Sequence, residues 1–351
     1  MKKERMFYPD AIRTLSCIFV IIIHISGSSA WYTLNVKENA WAILMFYNAC
    51  VRSAVPLFVM ISGVFLLDSS KKCEGKYLGG KIIHLLKIYI VWSIFYGIVY
   101  GIENPQIFQG QNVLNILKSI GTYILESKYH LWFIPMLIGV YFLVPCIRKI
   151  AESKRTTEYF LCLFMCFNIL RGFFVSVIKN DMVCSVINRI PMEFVMGFAG
   201  YFLLGYYISK WGLSKKVKVL CGISAIVMVL GSAMGSIYFS RVNGSPEGMW
   251  TGEFSISSFF AAVAIFSLIK DWGKNRKEGF VVLFIKFVAK HSLGIYLVHV
   301  FWIELLEKLG FTVNIFNTIV SVPVLTVIVF GISLLTCYLL EKIRIIQKII
   351  F

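Results

Sequence analysis

The stretch Ile315–Leu340 reads IFNTIVSVPVLTVIVFGISLLTCYLL and contains no charged residue. An α-helix needs about 20 apolar residues to cross a bilayer, so this stretch is long enough to span one. Stretches of similar character lie at Ile12–Trp31, Ala42–Leu67 and Ile82–Ile102. Across the chain 58% of the residues are hydrophobic and only 15% are charged, whereas about 25% are charged in a soluble domain. The sequence therefore predicts an integral membrane protein.

Shorter apolar blocks raise the predicted number of membrane spans to about ten. They lie at Leu131–Ile147, Tyr159–Val177, Ile190–Ile208, Val219–Phe239, Phe254–Ile269 and Leu293–Leu306. The connecting segments are short apart from Glu103–His130, in which apolar residues recur at helical spacing and predict an amphipathic surface helix, either a connector or a lid. We expect an all-α polytopic membrane helix bundle that forms a single domain over residues 1–351, with no separate soluble domain.

The distribution of basic residues predicts the orientation of the chain, whose formal net charge is +17. If the N-terminus is inside, about 24 lysines and arginines fall in the inner segments and about 7 in the outer ones, as the positive-inside rule requires. Both termini are therefore expected in the cytoplasm. A nucleic-acid partner is not expected, because the basic residues are spread over short loops and do not form one patch.

The first apolar block carries ionisable residues at membrane depth. Asp10 and Arg13 lie at its start and His24 lies deeper. Such groups are costly in the hydrocarbon and often mark functional sites. Arg13 and His24 are eleven residues apart, which on an α-helix is about 16 Å along the axis and about 20° around it, with Asp10 close to the same line. The alignment favours a functional stripe, although Arg13 could simply extend to the membrane surface and His24 could be a packed, hydrogen-bonded residue.

Other predicted helices carry Arg52, Arg171 and His299 at a similar depth. With His24 they could surround one cavity or form a structural salt-bridge network. A histidine can act as a general base or carry an acyl group, and arginines can bind phosphate or stabilise an oxyanion. No metal site is predicted, because the sequence contains no HExxH or CxxC pattern. The absence of Walker A and GxGxxG patterns argues against nucleotide hydrolysis and dinucleotide redox chemistry.

Five sequence motifs occur in order along nearly the whole chain. They are Tyr8-Pro-Asp-Ala-Ile-Arg13 followed after ten residues by His24, Val55-Pro-Leu-Phe-Val-Met-Ile-Ser-Gly63, His130-Leu-Trp-Phe-Ile-Pro135, Gly200-Tyr-Phe-Leu-Leu-Gly-Tyr-Tyr207 and Ser292-Leu-Gly-Ile-Tyr-Leu-Val-His299. Each motif alone is weak. Together and in this order they resemble the membrane-bound acyltransferase 3 family.

The resemblance implies an acyltransferase of a bacterial inner or plasma membrane. It would move an acyl group, usually acetyl, from cytoplasmic acyl-CoA to a hydroxyl of an envelope glycan or lipid-linked sugar. Acetyl-CoA would be a co-substrate, with no permanently bound cofactor. The first-helix arginine and histidine are essential in that family, which implies catalytic roles for Arg13 and His24, with Asp10 from the same motif. On the cavity hypothesis, Arg52, Arg171 and His299 hold the acceptor or the oxyanion.

The start of the third predicted helix departs from the family pattern. The family has two arginines three residues apart there, linked to the donor, whereas this chain has Lys81 and His84. A lysine lacks the bidentate fork of an arginine. With that difference, acyl-CoA binding is assigned to Arg13, Lys81 and His84.

Two other functions are compatible with the sequence. The buried charges could line the path of a transporter or flippase of a glycan or small molecule. Alternatively, the chain could bind and export or sense a small molecule such as an amino acid, since some family members are fused to racemase modules.

Overall fold

The computed structural model describes residues 6–27, 29–68, 75–108, 112–178, 192–248, 250–274, 276–344 and 347. Helices and the turns between them account for these ranges, and no strand occurs in them, which confirms the predicted all-α class. In chain order the helices are α1 (Tyr8–Ser26), α2 (Ser29–Thr33), α3 (Asn39–Val51), α4 (Ala54–Leu66), α5 (Gly75–Glu103), α6 (Val113–Glu126), α7 (Phe133–Phe142), α8 (Val144–Glu152), α9 (Lys154–Phe164), α10 (Arg171–Ile178), α11 (Met192–Lys210), α12 (Lys215–Asn243), α13 (Ile256–Trp272), α14 (Phe280–Lys308) and α15 (Thr318–Glu341). Two short 3₁₀ turns and a π-helical segment lie at Pro105–Phe108, Tyr129–Trp132 and Met165–Leu170.

Within these ranges, seven helical segments are long and apolar enough to cross a bilayer, or eight if a broken pair is one span. The seven are Tyr8–Thr33, Asn39–Leu66, Gly75–Glu103, Lys154–Val175, Lys215–Asn243, Phe280–Lys308 and Thr318–Glu341, and the broken pair is Tyr129–Phe142 with Val144–Glu152. The protein is thus a multi-pass helical membrane protein, as predicted. The other two predicted spans correspond to α11, which is bent at Gly197, and α13, which has 17 residues.

The count of about ten spans and the cytoplasmic location of both termini stay predictions. Residues 1–5 and 348–351, on which part of the charge argument rests, lie outside the described ranges.

Residues 1–69 and 146–339 form one compact unit, in which α1 contacts α3, α4, α13 and α14. Pro9 suits the first turn of α1, where a backbone N–H has no helical partner in any case. On the side of α1 that meets α14, the Thr14 hydroxyl donates to the Ile285 carbonyl at 3.3 Å and the Cys17 thiol to the Ser292 carbonyl at 3.5 Å. These bonds fix the rotation of α1 about its axis, and with it the directions of Arg13 and His24.

Two glycines let α4 and α11 cross with their backbones in contact. A Cβ at Gly63 would lie 1.8 Å from the Phe202 carbonyl oxygen, and one at Gly205 would lie 2.1 Å from the Met60 carbonyl oxygen. Small residues at crossings are the usual means by which membrane helices approach closely, since lipid leaves little hydrophobic drive between helices. The crossing ties two of the sequence motifs together and orients Tyr201, which is completely buried.

Residues 70–145 with 340–351 form a second compact unit. The predicted amphipathic helix is present as α6, and its N-terminus is capped by the Asn112 side chain, which accepts from the Asn115 N–H at 2.9 Å. It packs on α5, where Tyr100 and Tyr123 stack with ring centroids 3.9 Å apart. Its role as a connector or a lid stays a prediction.

Candidate active site

Two histidines from the first and fourteenth helices meet inside the first unit. The rings of His24 and His299 lie with their centroids 5.0 Å apart. His299 is completely buried, and its Nδ1 lies 2.7 Å from the Tyr296 carbonyl oxygen. Because a carbonyl can only accept, Nδ1 carries the hydrogen, and in the neutral ring Nε2 holds the lone pair. The sequence placed these two histidines at similar depth, and the structure brings them together.

Arg52 lies beside this histidine pair, at the turn between α3 and α4. Asn48 links it to α1 next to His24, because Asn48 Nδ2 donates to the Ile23 carbonyl at 3.2 Å. Arg52 Nε donates to the Asn48 amide oxygen at 2.6 Å, and Asn48 Nδ2 donates in turn to the Ser26 hydroxyl at 3.0 Å. On the other side, a guanidinium nitrogen lies 3.8 Å from a carboxylate oxygen of Glu253. The arginine is therefore held in one orientation by groups from three separate segments.

The sequence analysis missed Asn48 and Glu253. Asn48 is a neutral amide within an apolar run, and the charge rule that selected Arg52 does not select it. Glu253 lies in the loop before α13, and the Tyr201 hydroxyl holds that loop by donating to the Glu253 backbone carbonyl at 2.8 Å. A solitary loop glutamate carries no sequence signal that would pair it with Arg52.

Asp10 and Arg13 form an ion pair near the start of α1. Arg13 Nη1 lies 3.5 Å from the Asp10 carboxylate, which is almost fully buried. The guanidinium also lies 4.8 Å from the centre of the Phe65 ring, in a cation–π arrangement. Asp10 and Phe65 therefore both contact the Arg13 guanidinium, while 31% of the Arg13 side chain stays exposed.

The remaining predicted residues lie elsewhere. Arg171 is half-buried and begins α10, directly after the π-helical segment. Lys81 and His84 are half-buried on α5 in the second unit, where the Lys81 ammonium lies 5.1 Å from the centre of the Tyr77 ring. Their assignment to the acyl-CoA site stays a prediction.

A basic cleft of about 660 Å³ lies at the N-terminal end of α1. It is lined by Met6, Phe7, Tyr8, Lys270, Gly273, Lys274, Arg276, Glu278, Val282 and Lys286. Much of its charge is neutralised locally. Lys286 contacts Glu278 at 2.5 Å, Lys274 contacts Asp271 at 2.7 Å, and Arg276 lies 4.1 Å from the centre of the Trp272 ring. The bond and charge from Lys286 hold the pKa of Glu278 below its usual value. The sequence analysis used these basic residues only to orient the chain.

This arrangement can support proton transfer at a carbonyl or hydroxyl group. An imidazole lone pair can accept a proton, and a fixed guanidinium beside it can stabilise negative charge that develops on a reacting oxygen. In the described ranges, no group of three or more His, Cys, Asp or Glu side chains could hold a metal ion.

Comparison with known proteins places the chain in a family. The model of an acyltransferase domain, that of the acyltransferase 3 family, matches residues 6–342. A probable poly-beta-1,6-N-acetyl-D-glucosamine export protein of Staphylococcus aureus strain MRSA252 is 21% identical over 348 residues, 97% of this chain and 94% of the relative. An amino-acid racemase of Enterococcus faecalis is 23% identical over 86% of this chain, which spans 42% of the racemase. No solved structure matches. The chain therefore belongs to the membrane acyltransferase 3 family.

Proposed function

We propose that this protein transfers an acyl group, acetyl in the simplest case, from cytoplasmic acyl-CoA to a hydroxyl of an envelope glycan or lipid-linked sugar. The observation that carries the proposal is the meeting of His24, His299 and Arg52 inside a chain of the acyltransferase family. The arrangement supplies a base and a fixed cation, the two groups that acyl transfer to a hydroxyl requires.

In the proposed reaction, His24 accepts the proton of the acceptor hydroxyl as its oxygen attacks the thioester carbonyl. The carbonyl oxygen becomes an oxyanion, which Arg52 stabilises. When the tetrahedral intermediate collapses, the carbon–sulfur bond breaks and the proton on His24 passes to the leaving thiolate. The products are an ester on the sugar and free CoA. His299 orients His24 through the ring contact, with its own Nδ1 fixed by the Tyr296 carbonyl.

A covalent variant of the same chemistry remains within the proposal. The His24 nitrogen would attack the thioester, CoA would leave, and the acyl-histidine would then pass its acyl group to the hydroxyl. The two routes can be told apart when no acceptor is supplied. Only the covalent route then releases one CoA per protein and leaves the acyl label on the chain.

On the donor side, the basic cleft supplies the positive field for the phosphates of CoA. Arg13, held by Asp10, lies on the same helix between the cleft residue Tyr8 and His24. Lys81 and His84 are kept as donor residues on the family pattern alone.

The relatives named for poly-beta-1,6-N-acetyl-D-glucosamine support a glycan as the acceptor class. The same name supports a second candidate function, export of a glycan. In that case the buried charges would line a path, and no acyl-CoA would be consumed.

The test uses purified protein in lipid nanodiscs with acetyl-labelled acetyl-CoA and an envelope glycan fraction, measuring free CoA and label on the glycan. His24→Gln keeps a hydrogen-bonding side chain but cannot act as a base, so transfer should fall by about 10²–10⁴-fold. His291→Gln is the matched control, because His291 is another histidine of the first unit, is fully buried on α14, and has its Nδ1 2.8 Å from the Phe287 carbonyl oxygen. It should retain most activity.

Two results would overturn the proposal. Transfer that persists at the wild-type rate in His24→Gln would show that His24 is not the general base. Movement of labelled glycan across vesicle membranes without any CoA release would establish export.

A further inference from the structure

Glu253, whose carboxylate pairs with Arg52, also lines a second cavity of about 330 Å³ in the first unit. Among the residues that line it are Asn168, Phe173, Ser232, Trp250, Glu253 and Phe254. Its volume falls at the lower end of the range of about 300–1,000 Å³ that is typical of small-ligand pockets. Among the described residues of its lining, Glu253 is the only charged one.

Two buried polar atoms in the lining of this cavity have no hydrogen-bond partner in the described part of the protein. They are Oδ1 of Asn168, a residue only 6% exposed, and Nε1 of Trp250. Buried polar groups are nearly always paired, so each exception calls for an explanation. One atom is an acceptor and the other a donor, which together match the hydroxyl or acetamido groups of a sugar ring.

The backbone around Asn168 is also unusual. Asn168 lies in the π-helical segment Met165–Leu170, between α9 and α10. Segments of this kind are rare within helices and occur frequently at functional sites. An apolar residue would avoid the unpaired amide, so both the side chain and its backbone favour a binding role for Asn168.

Aromatic rings form the apolar walls of the cavity. Trp250 stacks on Phe239 with ring centroids 6.1 Å apart, and Phe173 meets Trp250 edge-on at 6.3 Å. The electron-rich face of an aromatic ring favours the weakly positive C–H groups on one face of a pyranose. A lining with a single carboxylate and several rings disfavours an anionic ligand such as a phosphate and favours a neutral sugar.

We propose that this cavity binds a neutral sugar ring of the acceptor, with Asn168 and Trp250 as its hydrogen-bonding partners. The inference rests on the proposed function and adds the place and chemistry of the acceptor. Glu253 connects the cavity to the reaction centre, because its carboxylate pairs with Arg52, which Asn48 links to α1 next to His24. A sugar bound here would therefore present a hydroxyl on the Glu253 side of the cavity.

The experiment measures equilibrium binding of two neutral probes to the full chain in nanodiscs, without acyl-CoA. The probes are β-1,6-linked disaccharides of glucose and of N-acetylglucosamine, and glucose 6-phosphate is the anionic comparison. Asn168→Leu and Trp250→Phe each remove one hydrogen bond and should weaken binding by about 5- to 10-fold. Phe174→Leu is the matched control, because Phe174 is adjacent to Phe173 but exposed and outside the lining.

Thermal unfolding separates a binding role from a structural one. Asn168→Leu replaces an unpaired amide by an apolar group of similar volume, so the ligand-free variant should melt at the same temperature as the wild type or higher. A lowered melting temperature with unchanged sugar affinity would make Asn168 structural and overturn the inference. Failure of both neutral disaccharides to bind the wild type would also overturn it.

The outcomes for the cavity and for the reaction are distinguishable. CoA release that depends on His24 together with an acceptor KM unaffected by Asn168→Leu and Trp250→Phe would leave the enzyme intact and remove the cavity as acceptor site. If both variants weaken sugar binding but no acyl transfer is found, the cavity is a sugar-binding site and the proposed acyl-transfer reaction is wrong.

Discussion

The histidine pair and the basic cleft lie in the same unit but differ in how their charges are arranged. At the histidine pair, directed contacts hold the groups: His299 bonds the Tyr296 carbonyl of its own helix, and Arg52 bonds Asn48 on α3 and pairs with Glu253 from the loop before α13. In the basic cleft, the charges lie at an open surface and are partly neutralised by nearby carboxylates, as where half-buried Lys286 pairs with exposed Glu278.

The difference teaches where single residues should matter. A group held by several directed bonds in a buried place acts by position, so its replacement removes a particular interaction. Charges at an open surface act through their summed field, so any one of them contributes little. The predictions below test this contrast, from the largest expected effect to the smallest.

Arg52→Gln should lower kcat by about 10²–10³-fold, because it removes the cation that, on the proposed mechanism, stabilises the oxyanion. Arg52→Lys retains the charge but lacks the planar fork that bonds Asn48 and Glu253. Its kcat should therefore lie between those of the wild type and Arg52→Gln. The measurement is label transfer to the glycan at saturating acetyl-CoA. Equal kcat for the wild type and Arg52→Gln would show that the guanidinium has only a packing role. The claim that single residues at the histidine pair act by position would then be wrong.

His299→Gln should lower kcat by up to about 10²-fold, because His24 loses the ring that positions it. His299 is treated as a positioning residue, so the pH dependence of kcat/KM should keep the wild-type shape at a lower level. If the pH dependence of kcat/KM in His299→Gln instead lacks the ionisation that the wild type shows below neutral pH, His299 is the base. In that case His24 and His299 exchange roles.

The sequence predicted the fold well where hydrophobic length decides it. Apolar runs predicted the multi-pass all-α class, and helical spacing predicted α6 at Val113–Glu126. The number of spans was harder to predict, because α11 bends at Gly197, where φ is 31°, and α13 is only 17 residues long. Neither a bend at one glycine nor a short buried helix is visible in mean hydropathy.

For the candidate site, the sequence selected residues by the cost of charge in a membrane. That rule found His24, Arg52 and His299, which the structure brings together, since titratable groups at depth need partners. It could not find neutral groups such as Asn48, Asn168 and Trp250, whose significance comes from which segments adjoin. Adjacency of α1, the α3–α4 turn and the loop before α13 is a tertiary property that no local pattern encodes.

In the basic cleft, Arg276→Gln should raise the KM for acetyl-CoA by about 2- to 5-fold with kcat unchanged, because one exposed charge contributes less than about 1 kcal/mol. The increase should shrink as salt rises from about 0.1 to 1 M, since the Debye length falls from about 10 to 3 Å. Lys149→Gln removes the same charge from an exposed residue outside the cleft and is the matched control. Equal effects of the two variants would show that the cleft does not bind the donor.

Glu278→Gln should act in the opposite direction and by the smallest amount, lowering the KM for acetyl-CoA by up to about twofold, because it frees the charge of Lys286. Since Lys286 holds the pKa of Glu278 below its usual value of about 4.3, the carboxylate stays ionised as the pH falls from 8 to 6. The ratio of the two KM values, variant to wild type, should therefore be the same at both pH values. Glu152→Gln, which removes a carboxylate paired with Lys149 outside the cleft, should leave KM unchanged. A raised KM in Glu278→Gln would mean that the carboxylate itself contacts the donor, and the cleft would then act by position as the histidine pair does.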